Sequence, residues 1–274
     1  MIELRNPVTW VYAALAVVGI IGLAPLMSDA YQGSPLAFLV AAVGWTAFGL
    51  AVAWLIRRIS RGRPRPRGAT LAAFGFGAVI ATGLGRWTTT AFSDIVDAVV
   101  ADDGWSTALS AGISEELLKI LGVAALALFA ASRMRSALDF VYYGAFVGLG
   151  FTVVESLLYS ATNAAGADSP VITVIGFLFV RGVFSLLWSH ATYTAIAAIG
   201  LWALLRWDAP AARRWLGFWA MLLLSMLVHI LFDAPFLEDS AALAFFVKGV
   251  PVAAVFLAIY LPMRARAGRA SSPV

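Results

Sequence analysis

The stretch ISEELLKILG, residues 113–122, sets two adjacent glutamates and a lysine inside a run that is otherwise apolar. A charge at the centre of a bilayer costs about 3 kcal/mol on insertion scales, so such a cluster needs a reason. On a helix Glu115 and Lys119 are i,i+4 neighbours and Glu116 and Lys119 are i,i+3 neighbours, so one ammonium can serve either carboxylate. The two glutamates point about 100° apart, which lets one face a cavity while the other is paired. Three further stretches carry related chemistry. GFTVVESLLYS, 150–160, lines Phe151, Glu155 and Tyr159 along one helical face. RGVFSLLWSHATYTAIAAIG, 181–200, embeds His190 with Ser189, Thr192 and Tyr193 beside it. VHILFDAP, 228–235, puts His229 and Asp233 at i,i+4 on one face. Neutral imidazole and carboxylate are the usual ligands of a hydrolytic zinc, three from protein with a fourth position left to water. A remaining glutamate can carry the proton from water to a leaving amine. A Glu–His pair can also activate water without a metal.

The elements that position these residues are membrane helices. The chain of 274 residues is 62% hydrophobic and 12% charged, against about 25% charged in a soluble domain. Mean hydropathy is +0.89. Apolar runs of about 20 residues recur from end to end, each long enough to cross a ~30 Å hydrocarbon core. The fold class is therefore all-α: a polytopic membrane protein of about eight transmembrane helices. The eight segments are 8–27, 36–56, 69–91, 106–132, 138–160, 171–205, 215–233 and 241–262. They read as a single integral membrane domain over 1–274, with three N-terminal spans in 1–105 and the catalytic core spans in 106–262. The sixth segment is too long for one upright crossing. It must tilt, kink at Gly176 or Gly182, or begin as an interfacial helix. The tripeptide before Tyr31 weakly resembles a signal-peptidase site, but Glu3 sits in the n-region and the apolar stretch is long, so segment one reads as a retained span. Cysteine is absent, which excludes disulfides and thiolate metal sites.

The net charge of +4 and the pI near 9.7 invite a nucleic-acid reading, and the placement of the charges rejects it. With the N-terminus inside and eight crossings, the inside holds Arg5, Arg57, Arg58, Arg61, Arg63, Arg65 and Arg67, then Arg133 and Arg135. Arg206, Arg213, Arg214, Arg264, Arg266 and Arg269 complete that set, while Asp29, Asp94, Asp97, Asp102, Asp103, Asp168, Glu238 and Asp239 fall outside. Basic residues mark the cytoplasmic side, so both termini are expected in the cytoplasm of a cell-membrane protein. Arg86 and Lys248 are expected to snorkel outward.

Counting inward at 1.5 Å per residue puts Glu115 and Glu155 about 25 Å from the cytoplasmic ends of their spans. His190 lies about 22 Å in and His229 about 21 Å in. Both histidines of the chain therefore share one layer of the outer leaflet with the carboxylates. The bland alternatives are a buried charge pair that fixes helix packing, and singly satisfied core histidines. Gly144-x-x-x-Gly148 reads as a close-packing motif.

Taken in order, Glu115-Glu116-x-x-Lys119, then Phe151-x-x-x-Glu155-x-x-x-Tyr159, then His190, then His229-x-x-x-Asp233, the chain resembles the PrsW-type intramembrane proteases. These are relatives of the type II CAAX prenyl proteases in the wider ABI-like superfamily, and the resemblance covers about 106–262. Ser156 stands where an asparagine is usual, and Ala198 where a glycine is expected. The resemblance implies an ABI/CAAX-protease-like core and peptide-bond hydrolysis within or beside the bilayer. It implies a single-pass membrane protein as substrate, of the anti-sigma-factor kind, cut on the extracytoplasmic side. On this reading Glu115 or Glu116 is the general base and Lys119 tunes the pair. His190, His229 and Glu155 are metal ligands or water-orienting groups, with Zn2+ the possible ion. Asp233 supports them, and Tyr159 donates to a carboxylate. The competing function is a proton- or ion-coupled transporter using the Glu/His/Lys cluster as a relay. A scaffold that keeps the fold without activity is a further rival, disfavoured because every acid and imidazole is present.

Overall fold

The structure is a computed structural model that describes residues 7–60, 65–129, 134–237 and 240–269. Glu3, Arg5, Arg61, Arg63, Arg133, Glu238 and Asp239, and the end of the fourth segment, lie outside the described residues. The chain is all-α. In order, α1 spans Pro7–Gly33, α2 Pro35–Ile59 and α3 Arg67–Asp97. Then follow α4 (Asp103–Phe129), α5 (Ala137–Ala164), α6 (Pro170–Phe184) and α7 (His190–Arg206). Last come α8 (Ala211–Asp233) and α9 (Ala241–Arg269).

The helices start where the sequence offers a stop to the preceding chain. Ser34 caps α2 through its Oγ and the Ala37 N–H at 3.4 Å, with Pro35 in the first turn where its missing N–H costs nothing. A reciprocal capping box between Ser136 and Asp139 opens α5. Among the described residues, six helices are long and apolar enough to cross a membrane: α1, α2, α3, α5, α8 and α9. The chain is thus a multi-pass membrane protein.

α5 is the central post. Its most apolar stretch is 78% buried inside the protein, against 11% for α1, so α1 faces lipid while α5 faces other helices. With no hydrophobic force between helices in lipid, close backbone approach and polar ties do the packing. A Cβ at Gly148 would overlap the carbonyl oxygen of His190, and one at Gly144 would meet Thr194 and Ala198. The expected small-residue motif thus seats α7 directly on α5. On another face of α5, α3 widens into a π segment over Phe76–Ala81, and Thr82 Oγ1 donates to the Gly77 carbonyl there at 2.9 Å. Trp45 of α2 is fully buried and donates its Nε1 proton to Ser160 Oγ of α5 at 3.0 Å.

The long sixth segment resolves into two helices, α6 and α7. The break is not at Gly176 or Gly182; it is at Ser185–Ser189, directly before His190. Gly182 instead lies in a π segment, Leu178–Phe184, that packs on Trp45 and Phe48. Hydroxyl groups satisfy the carbonyls that the break frees. Ser185 Oγ donates to Val180 O at 2.6 Å, Thr192 Oγ1 to Leu187 O at 3.0 Å, and the Tyr193 hydroxyl to Trp188 O at 2.9 Å. Irregular backbone is tolerated at membrane depth where protein or a cavity surrounds it, as here.

Candidate active site

Four helices meet behind this break. α4 brings Glu115, Glu116 and Lys119; α5 brings Phe151 and Glu155; α7 opens on His190; α8 ends on His229 and Asp233. Every one of the expected site residues converges on one region, but they divide into two layers.

Glu116 and Lys119 form the dry layer. Both side chains are fully buried, with Nζ 2.7 Å from Glu116 Oε1. Glu116 Oε1 is also 3.1 Å from His229 Nδ1, and its Oε2 lies 3.0 Å from Ser225 Oγ and 3.4 Å from Thr194 Oγ1. A buried carboxylate with that many donors is saturated. Lys119 also reaches Glu115 Oε2 at 3.3 Å and His190 Nδ1 at 2.8 Å, and sits 4.3 Å over the Phe151 ring. Phe151 thus earns its place in the motif as the π face beneath the ammonium.

The second layer lines a cavity of about 220 Å³. Glu115, Glu155, His190, His229 and Asp233 all open onto it, together with Arg181 and Tyr159. Glu115 Oε2 is 3.7 Å from His190 Nδ1 and 3.8 Å from His229 Nε2. Its other oxygen makes no hydrogen bond among the described residues. The two imidazole rings stand edge to face at 4.8 Å, and the Tyr193 ring stacks on His229. Each imidazole is held by a carboxylate from behind: His190 Nε2 by Glu155 Oε2 at 2.8 Å, His229 Nδ1 by Glu116. Asp233, one turn on, is 3.1 Å from His229 Nε2.

Arg181, left unassigned by the sequence reading, bridges the mouth. Its Nη2 donates to Glu155 Oε2 at 2.9 Å, and its guanidinium lies 4.7 Å over the Tyr159 ring. Tyr159 therefore does not give its hydroxyl to a carboxylate as expected; its ring carries the arginine instead. An arginine inside an apolar run was the available signal. Ser225 was also missed, although it sits one turn before His229 on the same face. Lys248 does not snorkel: it donates to the Ala234 carbonyl and ties α9 to the end of α8.

The pattern of residues has a counterpart in a known family. A family model described as PrsW family intramembrane metalloprotease matches residues 65–261, well over half of the chain. The chain belongs to the PrsW family of intramembrane metalloproteases. It is accordingly a peptidase. Among curated proteins and among solved structures, no match was found. The matched region begins ahead of α3 and runs to within α9, so it takes in all four motif-bearing helices.

A metalloprotease of this family needs a metal seat, and the donor chemistry here fits one. Glu115, His190 and His229 are buried, and their ligand atoms all lie within 4.8 Å of one another. Two imidazoles and one carboxylate are a set used by hydrolytic zinc. The carboxylates behind both imidazoles are the outer partners that fix ring orientation in such sites. Glu155, expected among the ligands, lies one step out of this group, holding His190 and Arg181.

Proposed function

We propose that the protein hydrolyses a peptide bond of single-pass membrane proteins at the cavity that holds Glu115, His190 and His229. The observation that carries this reading is the meeting of these three side chains in one buried group, in a chain of the PrsW family. We take the protein as one integral membrane domain with eight crossings, α6 and α7 together making the sixth, and an ABI/CAAX-protease-like core. α4 and α7 count as spans although α4 carries charged residues and α7 is short. α4 carries the acids and lysine, and α7 has 17 residues and continues a crossing that α6 begins.

Both termini are placed in the cytoplasm because the basic residues gather at that end. The cavity then opens towards the extracytoplasmic side, close to the ends of α8 and α5. A substrate segment lying beside the outer leaflet, such as the juxtamembrane stretch of an anti-sigma factor, would reach it without crossing the bilayer.

Glu115, His190 and His229 would hold a divalent metal such as Zn2+, which when bound polarises the scissile carbonyl and makes its water acidic. The remaining steps belong to the chain. Glu115 keeps one oxygen directed at the imidazoles and the other free of hydrogen-bond partners among the described residues. That free oxygen takes the proton of the attacking water and passes it to the leaving amine. Glu155 and Glu116 hold the imidazoles in one orientation. Lys119 neutralises the second glutamate, so that the pair does not carry two uncompensated charges in a dry layer. Asp233 stands beside the His229 nitrogen that would take the metal. Thr152, Ser156 and Ser189 add hydroxyls to the cavity wall.

The test is cleavage of a single-pass substrate by purified protein in liposomes. Glu115→Gln and His190→Ala should abolish cleavage while the protein stays folded. Wild-type rates in either variant would sink the assignment. Elemental analysis of the same preparations should show a metal in the wild type that the His190→Ala, His229→Ala double variant loses.

A further inference from the structure

A second cavity, of about 390 Å³, opens at the other end of α5. Its shaft is apolar, walled by Val52 and Leu55 of α2, Val141 and Ala145 of α5, and Phe256 of α9. It runs from Gly268 to Phe256 along α9, about 18 Å at helical rise. It ends beneath Leu187 and Thr192, beside the break that presents His190.

The mouth is basic. Arg65 and Arg264 line it, below the last turn of α2 with Arg57 and Arg58. Arg65 is the unusual residue. Its side chain is nine-tenths buried, with 9% exposed, yet its Nε has no hydrogen-bond partner among the described residues. Its other contacts are long: Ser60 O at 3.2 Å, and Leu138 O and Asp139 Oδ1 both at 3.4 Å. Asp139 cannot serve it better, because its second carboxylate oxygen is committed to the Ser136 N–H and hydroxyl at the start of α5. The guanidinium lies 4.0 Å over the Tyr142 ring, which fixes its plane. A buried donor left without a partner is costly, and guanidinium is the group best shaped to receive a phosphate.

We propose that this cavity is a binding site for an anionic phospholipid, its phosphate against Arg65 and Arg264 and one acyl chain in the apolar shaft. Two properties select this occupant. An acyl chain matches the length and apolarity of the shaft, and a phosphate matches the unpaired guanidinium edge. A substrate helix would satisfy the walls but leave Arg65 Nε unpaired. A zwitterionic lipid would bring a choline or ethanolamine into a mouth already rich in arginine.

The experiment is native mass spectrometry of the full-length protein released from mixed nanodiscs of phosphatidylglycerol and phosphatidylcholine. One phosphatidylglycerol should remain bound under activation that strips phosphatidylcholine. The double variant Arg65→Gln, Arg264→Gln should lose that retention by at least about tenfold. Because Arg65→Gln also touches Asp139, Ala145→Phe provides a second variant. It blocks the shaft, leaves the arginines in place, and should lose the lipid as well. Equal retention of the two lipids, or retention unaffected by either variant, overturns the proposal. Displacement of the lipid by millimolar inorganic phosphate would instead make this a free-anion site. Displacement by a single-pass helix peptide that cross-links to Leu55 would make it a substrate groove. Either result also overturns it.

Discussion

The two cavities lie at opposite ends of α5 and treat charge differently. In the cavity beside Thr152–Tyr159, each acid, imidazole and cation has a partner within the protein: Glu155 with His190 and Arg181, His229 with Glu116 and Asp233, Lys119 with both glutamates. In the cavity beside Leu138–Ala145 the walls are apolar, and one buried guanidinium keeps an edge without a partner among the described residues. A set of charges that completes itself in low dielectric is already organised before substrate arrives, which is the condition under which fixed dipoles lower a barrier. A set that does not complete itself calls for a ligand from outside. The chemistry is thus built where pairing is complete, and the reception of a foreign molecule where it is not.

The comparison is easiest to break at Glu115, the least tightly paired acid of the outer cavity. Glu115→Gln keeps the shape and removes both the proton carrier and the charged member of the group that would hold the metal. Cleavage should fall by about 10²–10⁴-fold, read as initial rate on a liposome-reconstituted substrate, with the thermal midpoint little changed. Glu116→Gln should behave differently, because Glu116 is enclosed by donors. Its loss should lower the thermal midpoint as well as the rate. If the two variants are interchangeable in both readouts, the division into a working acid and a paired acid is wrong.

Next in size are the groups behind the imidazoles. Glu155→Gln leaves His190 without its charged partner and Arg181 without its own. A loss of about 10–100-fold in rate or metal affinity is expected, measured by activity against added Zn2+ and by elemental content. Lys119→Met tests the dry layer by stability. Removing one member of a buried pair costs about 3–5 kcal/mol, so this variant should unfold well below wild type in detergent melts. A melt unchanged from wild type would mean that Glu116 is carried by Ser225, Thr194 and His229 without the ammonium.

Much of this was legible in the sequence, because hydrocarbon punishes charge and so makes each retained charge informative. The membrane class, the four motif-bearing segments and their shared depth all followed from that rule. The site itself interrupts two of the spans. α4 is broken as an apolar run by Glu115, Glu116 and Lys119, and α7 is short because its helix starts only at His190. Both interruptions are the chemistry itself. What spacing could not supply was which glutamate faces the cavity, since 100° of rotation says only that the two differ. Nor could it place the break of the sixth segment. Glycine was the natural suspect, but serine and threonine hydroxyls paired to freed carbonyls made the break at Ser185–Ser189. In sequence Arg65 is one of many topology-marking arginines; that its Nε lacks a partner among the described residues is a tertiary fact with no local signature.

The smallest effect tests how the mouth of the outer cavity is held. Tyr159 is 47% exposed, and its hydroxyl finds no partner among the described residues. What it offers is the ring under the Arg181 guanidinium, and Arg181 in turn orders Glu155. Removing only the hydroxyl should therefore do little: Tyr159→Phe should cleave within about twofold of wild type, since the π face persists. Tyr159→Ala removes the face and frees the arginine, at a cost of about 0.5–2 kcal/mol of contact, or a several-fold fall in rate at unchanged metal content. If Tyr159→Phe instead matches Tyr159→Ala, the hydroxyl acts on substrate directly. The outer cavity would then contain an open donor of its own, and the contrast with the arginine-lined cavity would narrow to one of size.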